Sequence, residues 1–568
     1  MIPKLSNVQG ATQWLKEHCN SHLCVDSRRV KPGDAFIAWP GYAHDGRRFV
    51  KDAFDQGASV CLVEDEGALG YSAEFKELLS RADLKRGGAS RSIATYSGLK
   101  EAGGLIADAY YEHPSSAMTL IAITGTNGKT STAWWLSATL AELGRRCAVI
   151  GTLGVGEVSR GSNSKSSEDG FTSTGLTTPD PFTLHRSLKE FKDSKIDYCA
   201  LEASSIGIVE HRLDGAHIET AVFTNLSRDH LDYHLSMQEY FKAKSVLFHW
   251  PGLKRAVINA DDPKGLELIE TLSTQEGSKL QILAFGCRSS QKESSPTNAH
   301  AYLFAFDVIQ KGALGGLSFK VDYKGTAKES VFGEVNTKII GDYNVSNLLA
   351  VIGVLLLQGN EFEHILRACS NLEPVPGRMQ RLNIYQVGSY PTVVVDYAHT
   401  PDALEKALQS LQALKTTGAS LFCLVGCGGD RDPGKRPLMA QVACENADVV
   451  VFTSDNPRGE PAQAIIDQMI GGLGKDWRVK IELDRKTAIR WAVEHAKPND
   501  IVLIAGKGHE NYQEIGVQRI PFSDAKVGEM ALMEFHGLRS LKSTKPLHSL
   551  EKIMDGQVRG EQISGDPR

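Results

Sequence analysis

A glycine loop closed by Lys-Thr, set between an apolar strand and a helix, leaves this chain fewer possible folds than any other feature. Leu120-Ile-Ala-Ile-Thr124 reads as a buried strand, and Thr130 to Leu143 reads as a helix with Gly144 as its stop signal. Between them lies Gly125-Thr126-Asn127-Gly128-Lys129-Thr130-Ser131. Glycines let the backbone turn tightly, and N–H groups at a helix N-terminus bind anionic phosphate oxygens. Lys129 adds a cation at the β/γ oxygens and Thr130 a hydroxyl ligand for Mg²⁺. The segment departs from GxxxxGK[ST], because Ile123 stands where the first glycine is expected. A surface turn that merely contains GKT is the bland alternative, and the strand–loop–helix setting favours nucleotide binding instead.

Apolar runs at Tyr198 to Leu201, Thr220 to Phe223 and Ala256 to Ile258 alternate with helical patterns, which predicts a parallel α/β sheet around the loop. A second doubly wound pattern starts near Gly377, with strands at Thr392 to Val395, Leu421 to Val425, Val449 to Phe452 and Ile501 to Ile504. It is Rossmann-like in pattern but lacks a GxGxxG fingerprint, which argues against a dinucleotide enzyme. Before both, Pro32-Gly33 and Pro40-Gly41 predict turns around a short strand, Ala35 to Trp39, and YYEHPSS reads as a hinge. At roughly 150 residues per domain, 568 residues allow about three or four domains. Polar stretches at Glu157 to Asp169, Ser273 to Lys279 and Arg288 to Asn298, and the tail after about Ser540, read as insertions or extensions without chemistry.

Composition excludes several classes. With 41% hydrophobic residues, 54 Gly and 21 Pro, the chain is neither fibrous nor wholly disordered. A formal charge of −5 argues against a nucleic-acid coat. The N-terminus lacks the apolar core of a signal peptide, and the longest apolar run, Leu348 to Leu357, is about half a membrane span. A cytoplasmic chain without membrane insertion is expected. Ten cysteines without paired metal spacing read as reduced core thiols, Cys423 and Cys427 included.

Two more strand ends carry polar groups: Leu201-Glu202-Ala203-Ser204-Ser205 and Phe223-Thr224-Asn225 through His230-Leu231-Asp232. In a parallel sheet the ligand crevice lies outside the carboxyl ends of the strands, so Glu202 and His230 are candidates to face the phosphate loop and ligate Mg²⁺. Each also has a local reading, Glu202 as a helix N-cap partner and His230 as a polar helix start. Lys244, in Tyr240-Phe-Lys-Ala-Lys244-Ser-Val-Leu-Phe, reads on its own as a solvated helix face.

Taken together, the ordered motifs DSRRVKPGDAFIAWPG, GTNGKTS, TTPD, EASS, FTNLSRDHLDYH, NADD, GDYNVSN, GRM, DYAHTPDALE, GCGGDRDPGKRPLM, DNPRGE and AGKGHE resemble the Mur ligases over nearly the whole chain. The likeness is to members that add the third amino acid to UDP-MurNAc-L-Ala-D-Glu. It implies an α/β, three-domain architecture: residues 1–115 binding the UDP-sugar, 116–376 a central P-loop ATPase sheet, and 377–545 a Rossmann-like domain that binds the incoming amino acid and closes over the substrates. Residues 546–568 would be a flexible tail, and the enzyme a monomer.

The resemblance assigns Val25, Ser27, Tyr42, Ala43 and His44 to the UDP end, and Thr177, Thr178, Ser204, Glu210 and Arg212 to the muramyl-dipeptide. Gly125 to Ser131 match the ATP loop, with Asn344, Asn347, Arg378 and Asp396 as further nucleotide contacts. Thr130, Glu202 and His230 match Mg²⁺ positions. Lys244 matches a lysine that is carbamylated in the family, and adding CO₂ turns a cation into a metal-binding anion. Lys129, Glu202, His230 and Lys244 form the catalytic set. Three positions depart from the usual pattern: Ile206 where many relatives have His, Glu210 where Gln is common, and Gln380 where Glu is usual.

The implied reaction is ATP-dependent amide synthesis. ATP converts the D-Glu γ-carboxylate into an acyl phosphate, and an amine then displaces phosphate. Within the family, Asp455-Asn456-Pro457-Arg458 resembles the diaminopimelate-adding members, whereas lysine-adding relatives lack that arginine. Arg431, Asp455, Asn456, Pro457, Arg458, Gly506 and Glu510 are the implied contacts, Arg458 offering a fork for the distal carboxylate and Glu510 an anion for the distal ammonium. A lysine-adding ligase, a folylpolyglutamate synthase and a non-catalytic nucleotide switch are the rival readings.

Overall fold

The computed structural model describes residues 2–41, 44–80, 91–158, 170–275, 279–289, 299–311, 316–325, 329–382, 390–474, 477 and 479–535. Tyr42, Ala43, most of the polar stretches 157–169 and 288–298, and the tail beyond 535 lie outside them. The chain divides into two compact units, one running to Val375 and the other starting at Pro376.

The first unit holds two sheets. The smaller is all-parallel, in the order Lys4–Leu5, Ser92–Tyr96, Val60–Glu64, Ala35–Ala38, Leu23–Cys24. Its middle strands are buried along their length, as a parallel sheet covered on both faces requires. The turn predicted at Pro32-Gly33 is present, with Gly33 at φ +94°.

The larger sheet has ten strands, and the predicted strand, observed as Thr119–Thr124, lies inside it between Ile218–Phe223 and Tyr198–Glu202. Both neighbours are parallel to it, and the register pairs Thr124 with Phe223 and Ile123 with Glu202. Three strand ends carrying polar groups are thereby brought level at one edge. The sheet continues into the antiparallel strands Leu317–Lys324 and Val331–Thr337, which the sequence patterns did not indicate. The helix after the loop spans Lys129–Glu142, one residue earlier than predicted at each end. The apolar run 348–357 lies in the helix Tyr343–Leu357, which packs into the core over this sheet. No helix of the described residues is long and apolar enough to cross a membrane.

The second unit is a six-stranded sheet in the order Gln380–Arg381, Thr392–Asp396, Ile501–Ala505, Leu421–Val425, Val449–Phe452, Val479–Ile481, parallel except at its first strand. A hairpin, Tyr512–Ile515 with Gln518–Pro521, follows the strand Ile501–Ala505. The fully buried Arg485–Asp524 pair ties the loops together at the carboxyl ends of the strands. Arg485 binds Asp524 at 2.7 Å and also donates to the carbonyls of Ala505 at 2.8 Å and Ser454 at 3.3 Å. A buried guanidinium is tolerated when its donors are satisfied in this way.

The expectation of core cysteines needs a correction. Cys287 ends the strand Gln281–Cys287 and is exposed, and Cys24 is half-buried, whereas the other eight are buried free thiols.

Candidate functional site

The phosphate loop is shaped by two glycines whose neighbours leave no room for a side chain. Gly125 has φ +143° and a Cβ there would overlap Thr224 Oγ1; Gly128 has φ +86° and a Cβ there would overlap Asn347 Oδ1. Thr224 Oγ1 donates to the Asn127 carbonyl at 2.6 Å. Asn225 Oδ1 accepts from Asn127 N at 2.9 Å, and Thr126 N donates to the Asn225 carbonyl at 2.8 Å. The loop is thus laced to the end of the strand Ile218–Phe223. Asn347 Nδ2 donates to Asn344 Oδ1 at 2.9 Å, and Asn344 Nδ2 donates to the Ile340 carbonyl at 2.8 Å, so the two asparagines form one chain beside the loop. Lys129 Nζ folds back onto the Gly125 and Thr126 carbonyls at 2.9 and 2.8 Å. Ser131 is buried in the first turn of the helix.

Glu202 is buried at the end of its strand, and its local reading as an N-cap partner does not hold. Ser204 caps the helix Ser205–Val209, accepting from Gly207 N at 3.0 Å. Glu202 instead accepts from Thr130 Oγ1 at 3.0 Å and from Thr152 N and Oγ1 at 2.8 and 3.0 Å. Thr152, just beyond the strand Cys147–Gly151, belongs to no motif and was missed by the sequence reading.

Mg²⁺ demands near-octahedral oxygen ligands at about 2.0–2.1 Å, which puts adjacent ligands roughly 2.9 Å apart. The Thr130 Oγ1 to Glu202 Oε2 spacing of 3.0 Å fits one such edge. Among the described residues no three His, Cys, Asp or Glu side chains converge on a metal site.

Lys244 is 1% exposed, which overturns its reading as a solvated side chain. Its Nζ donates to the Gly125 carbonyl at 2.7 Å and lies 4.3 Å from the centre of the Tyr240 ring. Burial, reinforced by the charge of Lys129, holds its pKa well below the ordinary lysine value. Tyr240, also absent from the predicted set, has its hydroxyl 3.2 Å from Thr126 Oγ1. His230 opens the helix Leu231–His234 at φ +52° without capping it through its side chain. Its pKa is lowered, first by desolvation, and then by Lys129 and Lys244 against the opposing charge of Asp229.

Around the end of Glu202's strand, Thr178 Oγ1 donates to the Glu202 carbonyl at 2.7 Å and lies 2.9 Å from Ser204 Oγ. Thr177 Oγ1 lies 3.1 Å from Thr152 Oγ1, and Arg212 Nη1 donates to the Thr178 carbonyl at 3.0 Å. Glu210 is turned to other partners, Lys100 at 2.7 Å and Tyr233 at 2.5 Å. In the smaller sheet's region Ser27 is buried, Val25 half-buried and His44 exposed; Tyr42 and Ala43 lie outside the described residues.

In the second unit Asp396 accepts from Met379 N at 2.6 Å and Ala398 N at 2.8 Å, and burial raises its pKa against the charge of Arg378. Arg378 stacks 4.3 Å over the Tyr397 ring. Gln380, one of the departures, accepts from Gly377 N at 2.8 Å and so serves the turn itself.

The other loop cluster of this unit gathers most of the residues implied for amino-acid binding. Asn456, 2% exposed, donates to Glu510 Oε2 at 2.8 Å, and fully buried Lys507 bridges Asn456 Oδ1 at 2.9 Å and the same Glu510 oxygen at 2.7 Å. Glu510 Oε1 has no hydrogen bond among the described residues and is the oxygen left for a cation. Arg458, at φ +50°, donates from Nε to Glu514 at 2.8 Å and from Nη1 to the Gly429 carbonyl at 2.9 Å. Its Nη2 has no hydrogen bond among the described residues. Asp455 lies against Gly506, where φ is +115° and a Cβ would sit 2.5 Å from Asp455 Oδ2. Pro457 supplies the carbonyl packed against Gly429, and Arg431 is exposed on the loop beside Gly428. Lys507, Glu514 and Tyr512, whose ring lies under Arg519 at 4.5 Å, were not foreseen.

Three family descriptions match successive parts of the chain: "Mur ligase family, catalytic domain" over residues 21–110, "Mur ligase middle domain" over 123–355, and "Mur ligase, glutamate ligase domain" over 377–508. A UDP-N-acetylmuramoyl-L-alanyl-D-glutamate--2,6-diaminopimelate ligase of Acidovorax sp. (strain JS42) is 44% identical over 94% of this chain and 99% of its own. A protein of the same name from Janthinobacterium sp. (strain Marseille) is 42% identical over 91% of this chain and 96% of its own. A solved structure of a ligase so named is 33% identical, covers 91% of this chain and 95% of its own, and superposes with a TM-score of 0.55.

Proposed function

The chain belongs to the Mur ligase family, and from that premise we propose that it joins meso-2,6-diaminopimelate to the D-Glu γ-carboxylate of UDP-MurNAc-L-Ala-D-Glu at the expense of ATP. The observation that carries the choice of amine is the loop cluster in which, among the described residues, Arg458 keeps unbonded guanidinium donors and Glu510 an unbonded carboxylate oxygen. Diaminopimelate bears a carboxylate and an ammonium at each end, so one end can meet both groups. Lysine lacks the distal carboxylate and would leave Arg458 unanswered. The names of the Acidovorax and Janthinobacterium relatives support the same choice.

A carboxylate is a poor electrophile in water. The loop N–H groups and Lys129 hold the β/γ-phosphates and offset the repulsion between the approaching carboxylate and the γ-phosphate. Arg212, Thr178 and Ser204 orient the dipeptide, while Asn344, Asn347, Arg378 and Asp396 serve the nucleotide. A carboxylate oxygen attacks the γ-phosphorus and ADP leaves. The amine then attacks the acyl carbon, inorganic phosphate departs with that oxygen, and the nitrogen gives up one proton, leaving the amide. Mg²⁺ held by Thr130 and Glu202, with His230 and a Lys244 carbamate as further ligands, would supply charge neutralisation at the phosphates. With the γ-carboxylate labelled with ¹⁸O, released phosphate should carry one labelled oxygen per turnover; unlabelled phosphate would reject the acyl-phosphate route.

Lys244 is suited to carbamylation because the nucleophile for CO₂ is the neutral amine, which its buried site favours. The new N–C bond forms as one proton leaves, and the carbamate nitrogen keeps an N–H for the Gly125 carbonyl that Lys244 already contacts at 2.7 Å. Enzyme stripped of CO₂ should be slow and recover on adding bicarbonate, with no recovery in Lys244→Ala. Full activity without CO₂ would exclude the carbamate. A cytoplasmic location follows from the reading, since ATP and UDP-linked sugars are found there, and the same reading takes the enzyme to be a monomer.

A further inference from the structure

The hairpin Tyr512–Ile515/Gln518–Pro521 grips Arg458 twice. Along the backbone, Arg458 N donates to the Glu514 carbonyl at 3.1 Å, Gly516 N donates to the Arg458 carbonyl at 2.8 Å, and Arg458 forms a parallel bridge with Ile515. These contacts hold Arg458 at φ +50°, a left-handed conformation that a long side chain adopts only when its surroundings enforce it. Through side chains, Arg458 Nε donates to Glu514 Oε2 at 2.8 Å, while Arg519 donates to Glu514 Oε1 at 2.8 Å. The Glu514 backbone is fixed as well, its N–H donating to Asn456 Oδ1 at 2.9 Å. Glu514 and Glu510 are therefore set by the same asparagine, one through each end of its amide.

A guanidinium has five N–H donors arranged in a fixed plane. Glu514 occupies the Nε donor and the Gly429 carbonyl occupies one on Nη1, so one Nη1 donor and two Nη2 donors remain, and the end of the fork is where one N–H from each of these two nitrogens runs parallel. Two parallel donors on that end match a carboxylate. With Arg519 also bound, two cations share one anion, and the cluster stays net positive toward an incoming carboxylate. We infer that Glu514 is the positioning residue for amine selectivity: it turns the Arg458 fork end-on to the second carboxylate of the substrate. The inference rests on the diaminopimelate reading above and deepens it. Nothing in the motif DNPR marks Glu514, which lies 56 residues further along the chain.

The test is steady-state kinetics on the full chain at saturating ATP and UDP-precursor, varying meso-diaminopimelate or L-lysine. Glu514→Ala should raise the KM for diaminopimelate about tenfold, equivalent to about 1.4 kcal/mol, with a much smaller change in kcat. The diaminopimelate-to-lysine ratio of kcat/KM should fall by a similar factor. Glu514→Gln, whose amide oxygen can still accept from Nε, should recover part of the loss. The double variant with Arg458→Asn should be no worse than Arg458→Asn alone, because Glu514 acts through the arginine. An unchanged KM, equal losses with both amines, or additive losses in the double variant would overturn the role of Glu514 while leaving the substrate reading intact. No turnover of diaminopimelate by the unmodified enzyme would overturn both.

Discussion

Lys129→Ala should slow precursor-dependent ADP release by about 10³-fold, a loss of the size seen when one preorganised donor to a developing charge is removed. Lys129 Nζ contacts the Gly125 and Thr126 carbonyls at 2.9 and 2.8 Å, which places the ammonium on the loop itself. Phosphate oxygens are charged acceptors for the same ammonium, and the lysine that the described residues also place on the loop is Lys244. Lys244 is committed to the Gly125 carbonyl at 2.7 Å and is electrically weakened by burial. The loop itself should survive the substitution, because its lacing to Thr224 and Asn225 does not involve Lys129. The variant should therefore fold with a thermal midpoint near that of the unmodified chain and fail in chemistry. An unchanged rate of ADP release would remove the loop from the mechanism.

Arg458→Asn should raise the KM for meso-diaminopimelate by about 10²-fold. Truncating one partner of a desolvated, hydrogen-bonded charge pair costs about 2–5 kcal/mol. Arg458 is a quarter exposed, so the lower part of that range applies once solvent screening is allowed for. Asparagine is the informative replacement because it accepts the left-handed conformation at φ +50° better than alanine does. If Asn and Ala raise KM alike, the guanidinium carries the effect; if Asn restores the affinity for diaminopimelate, backbone strain carries it and the carboxylate assignment fails.

The phosphate loop was legible because its chemistry is local. Strand, glycines, Lys129 and helix are contiguous, and every one of them is needed for the same function. The placing of Glu202 beside the loop was legible only through topology: parallel strands align their carboxyl ends, and the register that pairs Ile123 with Glu202 and Thr124 with Phe223 does so here, while His230 lies beyond that register. Lys244 was misread by pattern alone, although a signal was present. Tyr240, Ala243, Lys244 and Leu247 follow the i, i+3, i+4, i+7 spacing of one buried face, and all four are buried. Thr152 and Glu514 had no such signal, since each gains its meaning from a chain reversal that brings distant residues together. The antiparallel strands of the large sheet were missed for a related reason: they pair outward from Ala301–Gln310, beyond the short buried runs that mark a parallel core.

In the proposed function an ATP-dependent ligase site is matched to an amine carrying a second carboxylate. ADP release should be measured with UDP-MurNAc-L-Ala-D-Glu and either meso-diaminopimelate or L-lysine as the amine, with the peptide product weighed by mass spectrometry. Turnover with diaminopimelate should be rapid and amide-coupled, and kcat/KM for lysine should be lower by about 10²-fold or more, the factor expected when Arg458 is left without its carboxylate. Equal turnover with the two amines, or ADP release without amide formation, would contradict it.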